Sequence, residues 1–429
     1  MKTPIWFQYP RFEWQNRQAV IIGGGLAGSQ MCWHLRQAGW QVTLLERHAG
    51  LASEASGNPA GVISPKMTAK ASPGEDFYRN SFHYTQTILK KLERQGTKIR
   101  YNLCGVLQLT HNERELKRWH ELKARHLGED FIQLLDEKQS SQVAGIELPF
   151  KSSYFPEGGW INPADYANAL CPEGREETAG AQAGCKIIKQ TQIISLQKNG
   201  KQWQLVDSAH NLIAQAEVVI IANGKDLHGF AQSAFLPGVP VAGQTTFAEA
   251  SDYSKHLKTV IGHEGYLTPA LHSDCSQQPV HIFGATFERD CSAPQIKAES
   301  DRQNYDSLQN YLPEFAHSLG QRSSAHVAVR MTTPDRFPYV GALPHKAFYE
   351  ENYHDLHQGK KWKKYPQAKY QQGLFVLGGL GSRGVISSAY CAKALCELLE
   401  NKAASENTQK VLNNCHPARF IIRKLIRKQ

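Results

Sequence analysis

Residues 20–30 read VIIGGGLAGSQ, and residues 42–47 read VTLLER. The apolar run Ala19–Ile22 has the composition of a buried parallel strand. Gly23, Gly25 and Gly28 follow in G-x-G-x-x-G spacing, Ser29–Ala38 reads as a helix, and Gly39 closes it. A second strand, Gln41–Glu46, ends on an acid. Gly23 permits the tight turn, Gly25 a close approach to a pyrophosphate, and Gly28 tight helix–strand packing. The helix N-terminus then faces negative charge, and Leu26 and Ala27, in the loop before it, count among the cofactor-binding residues. Glu46 stands where a carboxylate accepts hydrogen bonds from an adenosine ribose and would repel a 2′-phosphate. Arg47 follows it directly. Strand, loop, helix, strand and terminal acid in this order predict dinucleotide binding; on this motif alone FAD and NAD both remain open.

The stretch after the second strand narrows the choice. Residues 52–65, ASEASGNPAGVISP, gather Ser56, Gly57, Asn58 and Gly61 where close backbone approach to a flat ligand or its phosphates is allowed. A further apolar strand spans Glu217–Ala222 and runs into Asn223 and Gly224. Residues 374–399, LFVLGGLGSRGVISSAYCAKALCELL, read as strand, glycine turn and helix, with Gly381, Ser382, Arg383 and Gly384 in the turn. A dinucleotide fold completed so far downstream favours FAD over NAD.

Composition sets outer bounds. The 429 residues are 41% hydrophobic, which suits two to three domains with a large core. Lys and Arg number 49 against 39 Asp and Glu, a formal charge of +10. An anionic partner such as nucleic acid and a merely solvated surface explain that charge equally well. The nine cysteines are scattered, with no CxxC, so neither a disulfide framework nor a zinc or other metal site is expected, and a reducing cytoplasm is. No apolar run approaches a membrane span, and the aromatic start MKTPIWFQYPRFEW lacks a signal-peptide core, reading instead as a linker or surface arm. The basic, aromatic stretch 357–372, with Lys360, Lys361, Lys363, Lys364, Trp362, Tyr365 and Tyr370, suits phosphate contact and base stacking, or a solvated insertion. The tail HPARFIIRKLIRKQ reads as an amphipathic helix with Ile421, Ile422, Leu425 and Ile426 on the apolar face.

Taken together, GGGLAG, ASGNPAGVISP, FPEGGWINPADY (155–166), ANG (222–224), VAGQ (241–244), GYLTP (265–269), VRMTTPDRFPYVG (329–341), GLGSRG (379–384) and HPARFIIRKL (416–425) resemble the D-amino-acid-oxidase/glycine-oxidase superfamily. The resemblance is closest to the FAD-dependent half of the bifunctional enzymes that modify the tRNA wobble uridine, and it covers about residues 17–428. It implies an α/β (α+β) fold in which a Rossmann-like FAD-binding domain (15–100, 150–235 and 325–429) is interleaved with a smaller antiparallel-sheet substrate domain (101–149 and 236–324), after an arm at 1–14. It implies oxidative removal of a carboxymethyl group, as glyoxylate, from 5-carboxymethylaminomethyl-(2-thio)uridine, leaving 5-aminomethyl-(2-thio)uridine. The methyltransferase half of such enzymes is not in this sequence, so a separate methylating protein, or a separated half, is expected. The rival expectations are a FAD oxidase of a free glycine- or sarcosine-like amine, and a tRNA-binding module with a structural flavin.

Such an oxidation needs a carboxylate anchor and a neutral amine, held close to the flavin. Arg330 lies on a strand whose alternation sets it opposite Val327 and Val329, and the superfamily uses an equivalent arginine to grip the substrate carboxylate. Arg383 precedes a helix start expected near Val385, where a cation opposes the helix dipole unless both face an anion. A guanidinium fork fits a carboxylate bidentately. Tyr266 matches the superfamily's pocket tyrosine. The flavin is expected to be non-covalent, because residues 322–341 contain no cysteine.

Overall fold

The computed structural model describes residues 3–172, 184–274, 276–291, 293–360, 362–402 and 405–428; Lys361 and Cys275 lie outside them. Two compact units emerge. One comprises residues 1–53, 167–239 and 330–429, and the other 54–166 and 240–329.

The first unit is built on a six-stranded sheet. Its order is Tyr339–Pro344, Tyr370–Gly378, Val218–Ile221, Gln18–Ile22, Gln41–Leu45 and Cys185–Ile188. The strands run parallel except the first, which is antiparallel to its neighbour. Val218–Ile221 is buried throughout, and Gln18–Ile22 is buried after its first residue, as strands covered on both faces must be. The late strand completes the sheet as expected, with Val219 paired to Leu374 and Ile221 to Val376. Val20, Ile22, Val219, Ile221, Leu374 and Val376 share one core with Leu196, Trp203 and Leu205 of a three-stranded meander, 193–216.

Several local expectations shift. The first helix spans Leu26–Gln37, three residues earlier than the polar residues suggested, because Gly25 adopts the extended N-cap conformation. The stretch 185–207 divides between two sheets: Cys185–Ile188 pairs with Val42–Leu45 in the main sheet, and Ile193–Asn199 pairs with Gln202–Asp207. The turn between the last two is Gly200–Lys201, with Gly200 at φ +55°. The tail forms its helix, Arg419–Arg427, with Ile422 buried and Ile421 and Leu425 packed beside it, but Ile426 faces outward at 49% exposure.

The second unit contains most of a nine-stranded sheet in the path 288–289, 239–249, 280–284, 266–267, 260–262, 106–109, 152–155 and 133–135, with 322–332 pairing to 239–249. It departs from the antiparallel expectation at one pair: Val260–Gly262 runs parallel to Val106–Leu109. VIGHEGYL is two short antiparallel strands, Ile261 pairing with Leu267 and Gly262 with Tyr266. Residues 54–100 and 150–166 cluster here rather than with the dinucleotide sheet. The reason is pairing: Gly61–Ile63 and Tyr101–Asn102 both bond to Gly159–Ile161. The long helix Pro73–Arg94, capped by Ser72, is tied in through Glu75, whose carboxylate pairs with Arg125 at 2.5 Å.

Among the described residues no helix is long and apolar enough to cross a membrane.

Candidate functional site

In the first unit the glycine loop is shaped by contacts that leave no room for side chains. Gly23 has φ +105°, and a Cβ there would sit 2.6 Å from the Ala222 carbonyl oxygen. A Cβ on Gly28 would lie 1.9 Å from the Gly23 carbonyl oxygen. Gly25, in extended conformation, stands as N-cap and makes no side-chain cap hydrogen bond, so the helix start faces the glycine loop with backbone alone at its cap. Leu26 and Ala27 are buried in that first turn.

Glu46 directly follows the second strand, which ends at Leu45, and is buried. Its Oε2 accepts from the Gly24 amide at 2.7 Å and its Oε1 from the His48 amide at 2.8 Å. The carboxylate therefore fixes the loop and remains the acid at the strand end. Gly24 was not among the expected positions, yet a Cβ there would meet Leu51 Cδ2 at 2.5 Å, and its amide grips Glu46. Arg47 pairs with Asp226 at 2.6 Å. Ala222 donates its amide to Ile22, which clamps the ANG segment beside the glycine loop. Asn223 Nδ2 donates to the Asp226 carbonyl at 2.8 Å, while its Oδ1 is buried without a partner among the described residues. Gly224 has φ +60° and open space where a Cβ would be. A cradle of glycine backbone, an uncapped helix start and an acid at the next strand fits the diphosphate and ribose of FAD.

The two arginines come from segments that touch. Arg330 is half-buried on the strand Arg322–Thr332, between buried Val329 and buried Met331. Arg383 is half-buried and stands as N-cap of the helix Gly384–Leu399, one residue earlier than expected, after a short turn Gly381–Arg383. That helix has no side-chain cap; Arg383 instead offers its carbonyl to Ser387 Oγ at 2.9 Å. Gly379 and Gly381 have φ of +66° and +59°. A Cβ on Gly379 would meet Thr333 Cγ2 at 2.7 Å, and one on Gly381 would meet Thr332 Cγ2 at 3.8 Å. The glycine turn thus lies against the residues that follow Arg330, a contact the GLGSRG motif did not reveal. Ser382 is exposed, and Gly384 opens the helix.

In the second unit Asn58 and Tyr266 meet. Asn58 Nδ2 donates to the Tyr266 hydroxyl at 2.8 Å and to the Ala60 carbonyl at 3.0 Å, and that hydroxyl donates to the same carbonyl at 3.1 Å. Asn58 Oδ1 is buried with no partner among the described residues. The Gly57 amide closes a turn onto Glu54 at 2.7 Å, Ser56 lies within that turn, and Gly61 begins the strand paired with Ile161. Tyr266 is therefore a half-buried strand residue that holds the loop 58–60. Its link to Asn58, 208 residues away, has no signature in the sequence.

The basic loop is less available than its composition suggested. Lys363 and Lys360 both pair with buried Asp355, at 2.7 and 3.4 Å, and Tyr365 donates to it at 3.1 Å. The hydrogen bonds from Lys363, Tyr365 and Lys360 hold the Asp355 carboxyl far below the usual carboxylate range. Trp362, 79% exposed, and Lys364 remain at the surface. On the terminal helix Arg419 and Arg423 converge on Asp335, leaving Lys424, Arg427 and Lys428 outward.

Comparison with known proteins places these features. A protein 34% identical over 428 residues, covering 98% of this chain, is the "tRNA 5-methylaminomethyl-2-thiouridine biosynthesis bifunctional protein MnmC" of Pseudomonas fluorescens. A protein of the same name from Pseudomonas aeruginosa is 31% identical over 430 residues. The chain spans 62% of the length of each. Among solved structures, glycine oxidase from Geobacillus kaustophilus superposes with a TM-score of 0.70 at 20% identity, covering 90% of this chain and 95% of its own. Iminodiacetate oxidase from Chelativorans sp. gives 0.68 at 20% identity, covering 90% and 96%. Residues 18–398 match the family model described as DAO, FAD dependent oxidoreductase. With its glycine cradle, strand-end acid and late sheet strand in place, the chain belongs to that family of FAD-dependent oxidoreductases.

Proposed function

We propose that the chain oxidises the carboxymethylaminomethyl arm of the tRNA wobble uridine. It would release glyoxylate from 5-carboxymethylaminomethyl-(2-thio)uridine and leave 5-aminomethyl-(2-thio)uridine. The observation that carries this reading is identity of 31–34% across nearly the whole chain to proteins named for biosynthesis of 5-methylaminomethyl-2-thiouridine in tRNA. The fold shared with glycine oxidase and iminodiacetate oxidase supports the same chemistry, since both names carry an N–CH2–carboxylate group.

FAD, bound without a covalent link, supplies a two-electron acceptor for the hydride of the methylene carbon. The substrate imine so formed takes up water, its C–N bond breaks, and glyoxylate and the primary amine separate. Gly23, Gly25, Leu26, Ala27, Gly28, Glu46, Arg47, Ala222, Asn223 and Gly224 are the proposed dinucleotide contacts of the first unit, with Gly381, Ser382 and Gly384 beside the reacting end. Ser56, Gly57, Asn58 and Gly61 are proposed contacts from the second unit. Arg330 and Arg383 anchor the substrate carboxylate, each guanidinium offering a two-pronged donor set. Tyr266 is a third donor, its hydroxyl proton redirected from the Ala60 carbonyl. The side chain of no general base is required, because a neutral amine loses hydride directly. Trp362, Lys364, Lys424, Arg427 and Lys428 are proposed tRNA contacts. A tRNA substrate fits a cytoplasmic location, which is part of the proposal, with a methylating activity acting on the product.

The test is mass spectrometry of wobble nucleosides after incubation with tRNA bearing the carboxymethylaminomethyl group. Conversion to the aminomethyl nucleoside with stoichiometric glyoxylate is expected. Unchanged nucleoside overturns the proposal; equal turnover of free sarcosine or glycine favours a small-amine oxidase, and flavin that stays oxidised anaerobically with this tRNA favours a structural flavin. Arg330→Ala and Arg383→Ala are expected to lower kcat/KM about 30- to 1,000-fold, the ~2–4 kcal/mol of a lost buried charge pair. Flavin absorbance in these variants should be retained.

A further inference from the structure

Three cysteines distant in sequence meet in the first unit. Cys32 lies in the helix Leu26–Gln37, which carries the glycine loop on its N-terminus, and is fully buried. Cys185 opens the edge strand Cys185–Ile188 and is half-buried. Their sulfurs are 3.1 Å apart, closer than two thiols ordinarily pack and about 1 Å from disulfide bonding distance. Cys171 is buried beside them and donates to the Ser29 carbonyl at 3.6 Å.

The electrostatics separate the three. Hydrogen bonds from Cys171 and Cys32, together with the nearby Arg36 charge, lower the Cys185 thiol strongly, against the effect of burial. Cys32 is raised by its hydrogen bonds to Cys171 and Cys185 and by burial, and Cys171 is raised by burial and then by its hydrogen bond to Cys185. Cys185, on the more exposed side, is thus the sulfur most readily ionised, with Cys32 and Cys171 behind it. A thiolate with a resolving thiol in contact is the arrangement that hydroperoxides oxidise selectively.

We propose that Cys185 and Cys32 form a peroxide-reactive dithiol site, which hydrogen peroxide converts to a disulfide. The Cys185 thiolate attacks one peroxide oxygen; the O–O bond breaks, leaving a sulfenic acid on Cys185 and hydroxide, which takes a proton to become water. The Cys32 sulfur then attacks the Cys185 sulfur, the S–O bond breaks, and the thiol proton leaves with the hydroxyl as a second water. Two thiols and one peroxide become one disulfide and two waters. Cys185 lies on a strand that, among the described residues, has a sheet neighbour on one side only, which gives the 1 Å approach room. Cys391 and Cys415, another neighbouring pair, are fully buried on both sides and present no thiol to a reagent.

The test treats the FAD-loaded full chain with hydrogen peroxide and maps its peptides without reduction. A Cys32–Cys185 cross-link reversed by dithiothreitol is expected, and Cys171→Ser should still form it. Cys32→Ser should stop at a Cys185 sulfenic acid that dimedone captures. Iodoacetamide should alkylate Cys185 at pH 6 about tenfold faster than free cysteine. Three outcomes overturn the proposal: Cys185 unmodified under peroxide that oxidises Cys291, a cross-link to Cys171 instead of Cys32, or one zinc per chain released from the as-isolated protein. Should the serine variants fail to hold flavin or their helical circular dichroism, the wild-type peptide map decides alone.

Discussion

At the scale of single residues, the glycine loop shows what sequence spacing carries. Gly23, Gly25, Gly28 and Glu46 lie within 24 positions of one another, so order and residue type suffice to assign them. Gly28→Ala puts a methyl 1.9 Å from a backbone oxygen that has no rotamer to escape into. Loss of bound flavin, read by absorbance after desalting, is the expected result. Asp335 was illegible by contrast, because its partners lie 84 and 88 residues away. Arg419 is 2% exposed and donates through Nε and Nη2 to the two Asp335 oxygens, both at 3.0 Å. Burial alone would raise that carboxyl, but the hydrogen bonds and charges of Arg419 and Arg423 outweigh it and hold it low. Asp335→Asn leaves a buried guanidinium without its counter-charge, and a loss of about 3–5 kcal/mol in denaturant unfolding is expected.

Among elements, strands and helices with clear apolar periods were readable, and their partners were not. Cys185–Ile188 joins the main sheet because it pairs with Val42–Leu45, a choice no local pattern encodes. The aromatic start illustrates the same point. Phe7 and Tyr9 stack on His416 at 4.5 and 4.9 Å, Trp6 meets Tyr353 and Tyr365, and Trp14 donates to the Leu399 carbonyl. His416 accepts from the Ala418 amide on Nδ1 at 3.0 Å and faces the Tyr370 hydroxyl with Nε2 at 3.0 Å. Burial, then the Arg419 charge, pushes its pKa well below that of an ordinary histidine. Burial does the same to His263, lowered to about 4 with help from His111, and to His281, lowered to about 4 against the Thr268 carbonyl. These rings stay neutral when folded but take up a proton once unfolded below pH ~6.5. Their contribution is therefore complete above that pH and falls as pH drops towards 4. Each subtracts up to about 1.4 kcal/mol per pH unit. Thermal unfolding should consequently show a midpoint that declines from pH 6.5 downward, before the carboxylates titrate; a flat profile from 6.5 to 5 would contradict the assignment.

For the molecule as a whole, the α/β class and the interleaving of segments were legible from the order of motifs. The boundaries were not, because residues 54–100 pair with 159–161 rather than with the sheet that precedes them. Of the proposed substrate groups, the touching segments behind Arg330 and Arg383 and the bond between Asn58 and Tyr266 had to be seen in three dimensions. Removing residues 3–14 strips Trp6, Phe7 and Phe12 from the aromatic clusters they complete. A lowered melting temperature and greater binding of a hydrophobic dye are the expected readouts.

The strand Val218–Ile221 lies between Gln18–Ile22 and Tyr370–Gly378, so its second neighbour is made about 150 residues after it. At about 5–20 residues per second, roughly 7–30 s separate synthesis of Val218–Ile221 from that of the strand that covers its edge. During this interval a fully apolar strand edge waits uncovered. Cofactor capture is therefore expected only once Tyr370–Gly378 has been made, and nascent chains that stop short of it are expected to need protection from aggregation.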